Sequence, residues 1–494
     1  MSQFQPLEFF KKPTTAKKQG SAQYSLLPLR FTALNDHEHV LTNLAGEHLV
    51  LPKKDTHAFI QGNLSEDAPA YVELRAKHFL EDCHATMAKD LLAIKVRTRH
   101  ARLADWTGLH IFVVTLRCEH SCPYCQVSRQ SEDKGSFDMS QEHALKALEL
   151  VFCSPNPDIK IEFQGGESFL NFELIQYIVL TANAMNAARA NPKRLAFVAA
   201  TNLAVVTPQM LQFCKTHGIV ISTSLDGPAD LHNKNRPRPG GDSYERTIAG
   251  IDLARSMLGN QQVSALMTTT KQSLGYVRDI VDEYLRLGFD GIFLRPLSPY
   301  GFALKTKFYR SYEAKQWLDF YDEGLDYIIE LNRQGAPFRE YYACTILTKM
   351  LTANDPGYVD LMSPAGIGMG AVVYNYDGAV YASDEARMLA EMGDYTFRLG
   401  TVDDSFETLF SNPVFLEALE ESFSFSQPMC NDCAFEPWCG ADPVFHWGQQ
   451  KDFAGRKPES EFCQRNMHIF RSLIERMRKD PFVKNLFMQW ANRC

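Results

Sequence analysis

Three cysteines fall within eight residues of one another, Cys118, Cys122 and Cys125, in the stretch LRCEHSCPYCQVSRQ that runs from Leu116 to Gln130. Thiolates grouped this closely bind metal more often than they form disulfides when the compartment is reducing. A structural zinc or an electron-carrying iron–sulfur cluster closes its shell with four protein ligands, so a group of three leaves one metal position open for a substrate or cofactor. A second group near the far end, Cys430, Cys433, Cys439 and Cys463, has the spacing C-x2-C-x5-C followed by a distant fourth, which is a complete shell. Spacing alone allows it either zinc or a closed [4Fe-4S] cluster. The other five cysteines, Cys83, Cys153, Cys214, Cys344 and Cys494, are isolated, and each is expected to be a small buried hydrophobe.

The elements that must position these thiols are legible in the apolar patterning. LHIFVVTL (Leu109 to Leu116) is a β-branched, apolar run that predicts a buried strand, with the three cysteines in the loop after it. Ser140 predicts an N-cap for the helix SQEHALKALELVF. Strand and helix then alternate through IKIEFQGGES, FELIQYIVLTANAMNAARA, LAFVAATN, TPQMLQFCKTHG, IVISTSLDG, SYERTIAGIDLARSML, QVSALMTTT, SLGYVRDIVDEYLRLG, GIFLRPLSPYG and YEAKQWLDFYDEGLDYIIELN. Six strand–helix steps between about Leu109 and Asn332 predict an α/β fold with a parallel sheet, either open and doubly wound or a partial barrel. In either case the cysteine loop, QGGES, TN, SLDG and RPLSPYG all follow strands and lie on one face.

Composition narrows the partners. With 51 basic and 59 acidic side chains the chain carries a formal charge of -8, which gives no electrostatic reason to expect nucleic acid. The densest basic run, KVRTRHAR from Lys95 to Arg102, reads as a solvated face or strand edge. No apolar run reaches the length of a membrane span, and the N-terminal lysines have no apolar core behind them, so no membrane partner and a cytoplasmic location are expected. At 494 residues, two to four domains are expected.

The spacing C-x3-C-x-Tyr-C at Cys118, Cys122, Tyr124 and Cys125 resembles the signature of the radical S-adenosylmethionine (SAM) enzymes, and the six-step barrel resembles their partial (β/α)6 core. The resemblance implies a [4Fe-4S] cluster on the three cysteines. Its open iron would bind the amino and carboxylate groups of SAM, and an electron from the cluster would cleave SAM to methionine and a 5'-deoxyadenosyl radical. Gly165, Gly166 and Glu167 resemble the segment that receives SAM's methionine ammonium. Ser222, Ser224 and Asp226 fall where the family has ribose-contacting groups, and Arg236 falls where an arginine pairs with SAM's carboxylate. Tyr124 resembles the aromatic beside the adenine, or is a core tyrosine; Asn202 is a ligand or a strand-end cap.

The C-terminal cysteines resemble the SPASM extension of radical SAM peptide maturases, whose full pattern holds two auxiliary clusters. Here Ser383 stands at the G-x4-C position after Gly378, Pro443 replaces the C-x3-C partner of Cys439, and Ser363 or a neighbour fills the upstream place. The ligands lost are chiefly those of the inner cluster, so one auxiliary [4Fe-4S] cluster is expected, on Cys430, Cys433, Cys439 and Cys463. Asp384, in YDGAVYASDEARML (Tyr376 to Leu389), resembles a general base of the sulfatase-maturing members, although with Glu385 and Arg387 it also reads as a salt-bridged turn.

Residues 1–105 read as a small α+β domain of two or three strands leading into a helix, with a second helix at APAYVELRAKHFLEDCH. This order resembles the winged-helix module by which peptide maturases hold a leader peptide through strand addition, and a ligand-free capping domain is the alternative. The remaining divisions expected are the barrel at 106–335, a linker at 336–360, a SPASM/twitch-like domain at 361–470 and a terminal helix at 471–494. From about Leu26 to Cys463 the chain resembles the His-Xaa-Ser system radical SAM maturases. That implies a ribosomally made peptide substrate rich in His-Xaa-Ser repeats, a companion radical SAM maturase and an external electron donor. Formylglycine formation in the manner of anaerobic sulfatase maturases and a non-catalytic iron–sulfur sensor or scaffold are the other readings.

Overall fold

The first strands of the chain build a small sheet on a core of their own. In a computed structural model describing residues 24–131, 133–301, 303 and 313–492, these strands are β1 (Tyr24–Leu26), β2 (Leu29–Ala33), β3 (Glu38–Asn43), β4 (His48–Pro52) and β5 (Leu80–Asp82). Cys494 and the N-terminal lysines lie outside the described residues. β2, β3 and β4 form an antiparallel sheet, and β1 pairs antiparallel with β5. Asn43 turns the chain between β3 and β4, its Oδ1 accepting from the N–H groups of Ala45 (2.9 Å) and Glu47 (3.1 Å). Helices Lys53–Ile60 and Pro69–Ala76 bury Phe59, Tyr71 and Leu74 against Tyr24, Leu41, Leu49 and Phe79. Asp55 to Ile60 of the segment DTHAFIQGNL belong to the first of these helices. The chain divides into two compact units at Val96/Arg97.

The second unit is organised by an eight-stranded sheet in the order β10-β9-β8-β7-β6-β13-β14-β15. Its strands are β6 (Leu109–Thr115), β7 (Asp158–Gly165), β8 (Arg194–Thr201), β9 (Ile219–Ser224), β10 (Val263–Leu266), β13 (Ala371–Tyr374), β14 (Ala379–Tyr381) and β15 (Arg398–Thr401). From β10 to β13 every pairing is parallel. The helices between them follow the sequence pattern closely. Ser140 Oγ accepts from His143 N at 3.0 Å and caps Gln141–Cys153, and Pro208–His217 ends on Gly218 in the left-handed region at φ 65°. On β7 the apolar Ile159, Ile161 and Phe163 alternate with Glu162 and Gln164, so one face meets the helices and the other faces the barrel interior.

The sixth strand departs from the expected barrel. β11 (Gly291–Ile292) pairs with the two-residue β12 (Arg339–Glu340) and does not join the large sheet. The cause lies in its backbone donors. Leu294 N–H donates to the Glu340 carboxylate at 3.1 Å, Arg295 N–H turns back to Phe293 O at 2.8 Å, and Pro296 has no N–H to offer. Thr269 N–H still donates to Arg295 O at 2.9 Å, which keeps the segment beside the end of β10. The basic run at Lys95–Arg102 is likewise not a simple solvated face: Arg99 is buried, its guanidinium donating to the carbonyls of Lys349 and Pro437. Among the isolated cysteines Cys214 and Cys344 are buried, but Cys83 and Cys153 are exposed.

Candidate functional site

The cysteine loop is held at both ends before any cysteine is considered. At its start Arg117 makes a two-pronged pair with Asp138 (2.6 and 2.8 Å) and donates to Leu170 O at 2.7 Å. Gln130 N–H returns to Leu116 O at 2.7 Å and closes the loop. Gly301 presses on it from the loop after β11: at φ 60°, a Cβ there would stand 2.3 Å from Gln126 O and 2.7 Å from Cys125 O. Arg387 reaches the same loop from the far side and donates to Val127 O at 3.3 Å.

So fixed, Cys118, Cys122 and Cys125 line one cavity of about 260 Å³ at the ends of the parallel strands. Burial, first of all, raises Cys118 well above the ordinary thiol range and Cys122 to about 12. Bare, these two thiols hold their protons at neutral pH, so loading metal onto them releases protons. Three sulfurs in one cavity, with no fourth cysteine among the described residues on its walls, fit a cluster that keeps one iron open.

The other residues singled out in the sequence divide into two groups. Gly165, Gly166, Asn202, Ser222 and Ser224 line the same cavity as the cysteines. The two glycines are required by the strands themselves, since a Cβ on Gly165 would stand 2.1 Å from Thr115 O and one on Gly166 2.3 Å from Arg117 O. Asn202 caps the strand end, its Oδ1 accepting from Ala204 N at 2.8 Å, and its Nδ2 donates to Glu119 Oε1 at 2.9 Å.

Glu167 and Asp226 do not line the cavity, whereas Arg236 does. Glu167 is 1% exposed and turned inward, with its carboxylate accepting from Phe169 N, Thr201 Oγ1 and Asn202 N. Burial and the neighbouring Glu119 raise it to about 7 despite those bonds. Asp226 is fully buried and presents no free edge to the cavity. Its oxygens accept from Tyr124 OH at 2.5 Å and from the Arg236 guanidinium at 3.1 and 3.2 Å. Arg236 therefore lines the cavity already paired, and Tyr124 is both a cavity wall and a core residue packed on Leu297.

Asp384 also lines this cavity, as the first residue of helix Asp384–Ala390. Its Oδ1 accepts from Arg387 Nε at 3.3 Å, so the salt-bridged turn is real and stands at the cavity wall. The three positions expected to have lost cysteines have other uses. Ser383 Oγ caps that helix through Ala386 N (3.1 Å), Ser363 Oγ accepts from Ser424 N (2.9 Å), and Pro443 is the first residue of helix Pro443–Gln450.

Cys430, Cys433, Cys439 and Cys463 form the second thiol group. Burial first, then the neighbouring Cys439 and Cys430, raises Cys433 and Cys463 to about 12. Asn466 Nδ2 donates to Cys439 Sγ at 3.6 Å. Sequence reasoning missed Glu162, Gln164 and Arg295 on the cluster cavity's walls. For the first two the polar alternation of β7 was a usable signal. For Arg295 the loop was singled out, but nothing in it distinguished this side chain.

The parallel α/β sheet carries three cysteines on the loop after its first barrel strand. Residues 112–288 match the family model described as the radical SAM superfamily, and the chain carries a domain of that superfamily. It is 24% identical over 235 residues to the radical SAM cyclopropyl synthase TigE of Paramaledivibacter caminithermalis, covering 43% of this chain and 46% of that protein. The chain thus spans about half the length of that curated relative. Over 339 residues it is 22% identical to the cysteine-type anaerobic sulfatase-maturating enzyme of Clostridium perfringens, covering 65% of this chain and 84% of that enzyme. Its fold is similar to that of native anSMEcpe with bound AdoMet and Kp18Cys peptide, with a TM-score of 0.62 and 19% identity, over 78% of this chain and 99% of that one. No described helix is long and apolar enough to cross a membrane.

Proposed function

We propose that the chain is a peptide maturase that cleaves SAM reductively and abstracts a hydrogen atom from a ribosomally made peptide. The observation that carries this is the set of three cysteines on the wall of one cavity with Gly166, Asn202, Ser222 and Ser224. Cys118, Cys122 and Cys125 would hold the [4Fe-4S] cluster, which supplies the electron that splits SAM into methionine and a 5'-deoxyadenosyl radical. The chain's own residues do the positioning. Asn202, just past β8, and Ser222 and Ser224, both on β9, offer hydrogen bonds to SAM. Asp226 holds Arg236 and Tyr124 at fixed angles, so both are positioning or binding groups set before SAM arrives. Asp384, paired with Arg387, would be a general base at the cavity wall.

Cys430, Cys433, Cys439 and Cys463 would hold one auxiliary [4Fe-4S] cluster. Tetrahedral zinc with bonds of about 2.3 Å would draw its sulfurs to about 3.8 Å of one another. Among the described residues the only three His, Cys, Asp or Glu ligand atoms within 4.8 Å are those of Cys118, Glu119 and His120, so no three of these four sulfurs are so close. That wider spread suits a larger group. The peptide substrate is supported by the relatives, and its His-Xaa-Ser character, the companion maturase and the external electron donor by the resemblance of the whole sequence. Residues up to Val96, with their three-stranded sheet, would add a leader peptide to a sheet edge. Incubating the reconstituted enzyme, SAM and reductant with a His-Xaa-Ser repeat peptide tests the reading: a change of peptide mass that needs all three supports it, and an unchanged mass overturns the substrate assignment.

A further inference from the structure

Three carboxylates stand close in sequence to the positions where the inner auxiliary cluster's cysteines are replaced: Glu385 near Ser383, Asp442 before Pro443 and Asp360 ahead of Ser363. All three line one cavity of about 70 Å³, with Arg295, Arg465 and Trp317 on its other walls. At about 30 Å³ per water, that is room for two waters or one small head group. Among the described residues that line it, Asp360, Glu385 and Asp442 face the guanidinium groups of Arg295 and Arg465. Trp317 adds an independent sign of a missing ligand: it is 1% exposed, and its indole Nε1–H is buried without an acceptor. The cavity adjoins the cluster site, because Arg295 lines both and Asp384, on the cluster side, is the chain neighbour of Glu385.

We propose that this cavity is a subsite for the substrate peptide, taking a cationic group on Asp360, Glu385 and Asp442 and an amide carbonyl of the same segment on the Trp317 indole. The proposal rests on the peptide-modifying reading above. Buried carboxylates need a countercharge and a buried donor needs an acceptor, and a peptide cation supplies both in one ligand. Burial first, then the neighbouring carboxylates, raises Glu385 to about 8; burial and Asp360 raise Asp442 to about 7. Protons thus hold the place that a ligand cation would take. Where the inner cluster's ligands are missing, the chain offers a charged recognition pocket one wall away from the site of hydrogen abstraction.

Thermal unfolding of the full-length, anaerobically reconstituted protein tests this with glycinamide, which carries an ammonium and an amide carbonyl in one small molecule. Methylammonium and acetamide at matched ionic strength supply each feature alone. The midpoint is expected to rise most with glycinamide. Glu385→Gln should abolish the advantage of glycinamide over acetamide, and Trp317→Phe its advantage over methylammonium. Should Glu385→Gln fail to fold, Asp442→Asn makes the same test. Equal responses to glycinamide and acetamide in the wild type, or a wild-type response in Glu385→Gln, would overturn the subsite. SAM cleavage in the same preparation separates the two readings: cleavage without a glycinamide effect removes the subsite alone, and a glycinamide effect without cleavage removes the enzymatic reading alone.

Discussion

Arg387 is the residue on which the roof of the site turns. Its side chain is 1% exposed, pairs with Asp384 and donates to Val127 O in the cysteine loop. Arg387→Ala leaves Asp384 without its partner and frees that loop. It should cost about 3 kcal/mol in denaturant unfolding, as removing one member of a buried pair does. Glu385, its neighbour in the same helix, contributes to pH dependence alongside Glu167 and Asp442. A carboxyl raised to about 8 by burial keeps its proton in the folded chain while the unfolded chain has lost it, so the folded state binds more protons through neutral pH. That stability is complete below the ordinary carboxylate range and is lost as pH climbs through about 8. Unfolding free energy of the cluster-free protein should therefore fall between about pH 5 and about pH 8, and Glu385→Gln should flatten the slope. A slope unchanged by that substitution would show that other groups carry it.

At the scale of elements, the sixth barrel strand depends on Glu340. Its buried carboxylate accepts from Leu294 N–H, from Ala343 N–H at the start of helix Tyr341–Leu351, and from Tyr321 OH on helix Ala314–Arg333. Glu340→Ala strands three buried donors at once and should destabilise by about 3 kcal/mol or more, with Glu340→Gln costing less. The five preceding strands and their helices were legible in the sequence because apolar runs of β-branched residues and Ser or Pro helix starts are local signals. The fate of β11 was not, because a carboxylate nearly fifty residues downstream takes the N–H that a sheet neighbour would otherwise pair.

At the scale of the whole molecule, the strands from Ala371 to Thr401 continue the barrel sheet beyond β6, so the segment bearing Asp384 rests against the strand that carries the cysteine loop. The sequence separated the three-cysteine from the four-cysteine group by spacing alone. It did not reveal that Glu167 and Asp226 face inward, since which way a carboxylate turns depends on donors gathered from other strands: Thr201 and Asn202 for one, Tyr124 and Arg236 for the other. The two clusters proposed would make a count. Reconstituted wild type should bind about eight irons, and a Cys430→Ala, Cys433→Ala variant about four. About twelve in the wild type would mean that the inner cluster persists on other ligands.

The central claim is that Cys118, Cys122 and Cys125 initiate a radical from SAM, and formation of 5'-deoxyadenosine tests it most directly. With SAM and dithionite under anaerobic conditions, the reconstituted wild type should form 5'-deoxyadenosine, and the triple alanine variant at Cys118, Cys122 and Cys125 should form none. A wild type that binds iron yet yields no 5'-deoxyadenosine, or a triple variant that yields as much as the wild type, would contradict the account.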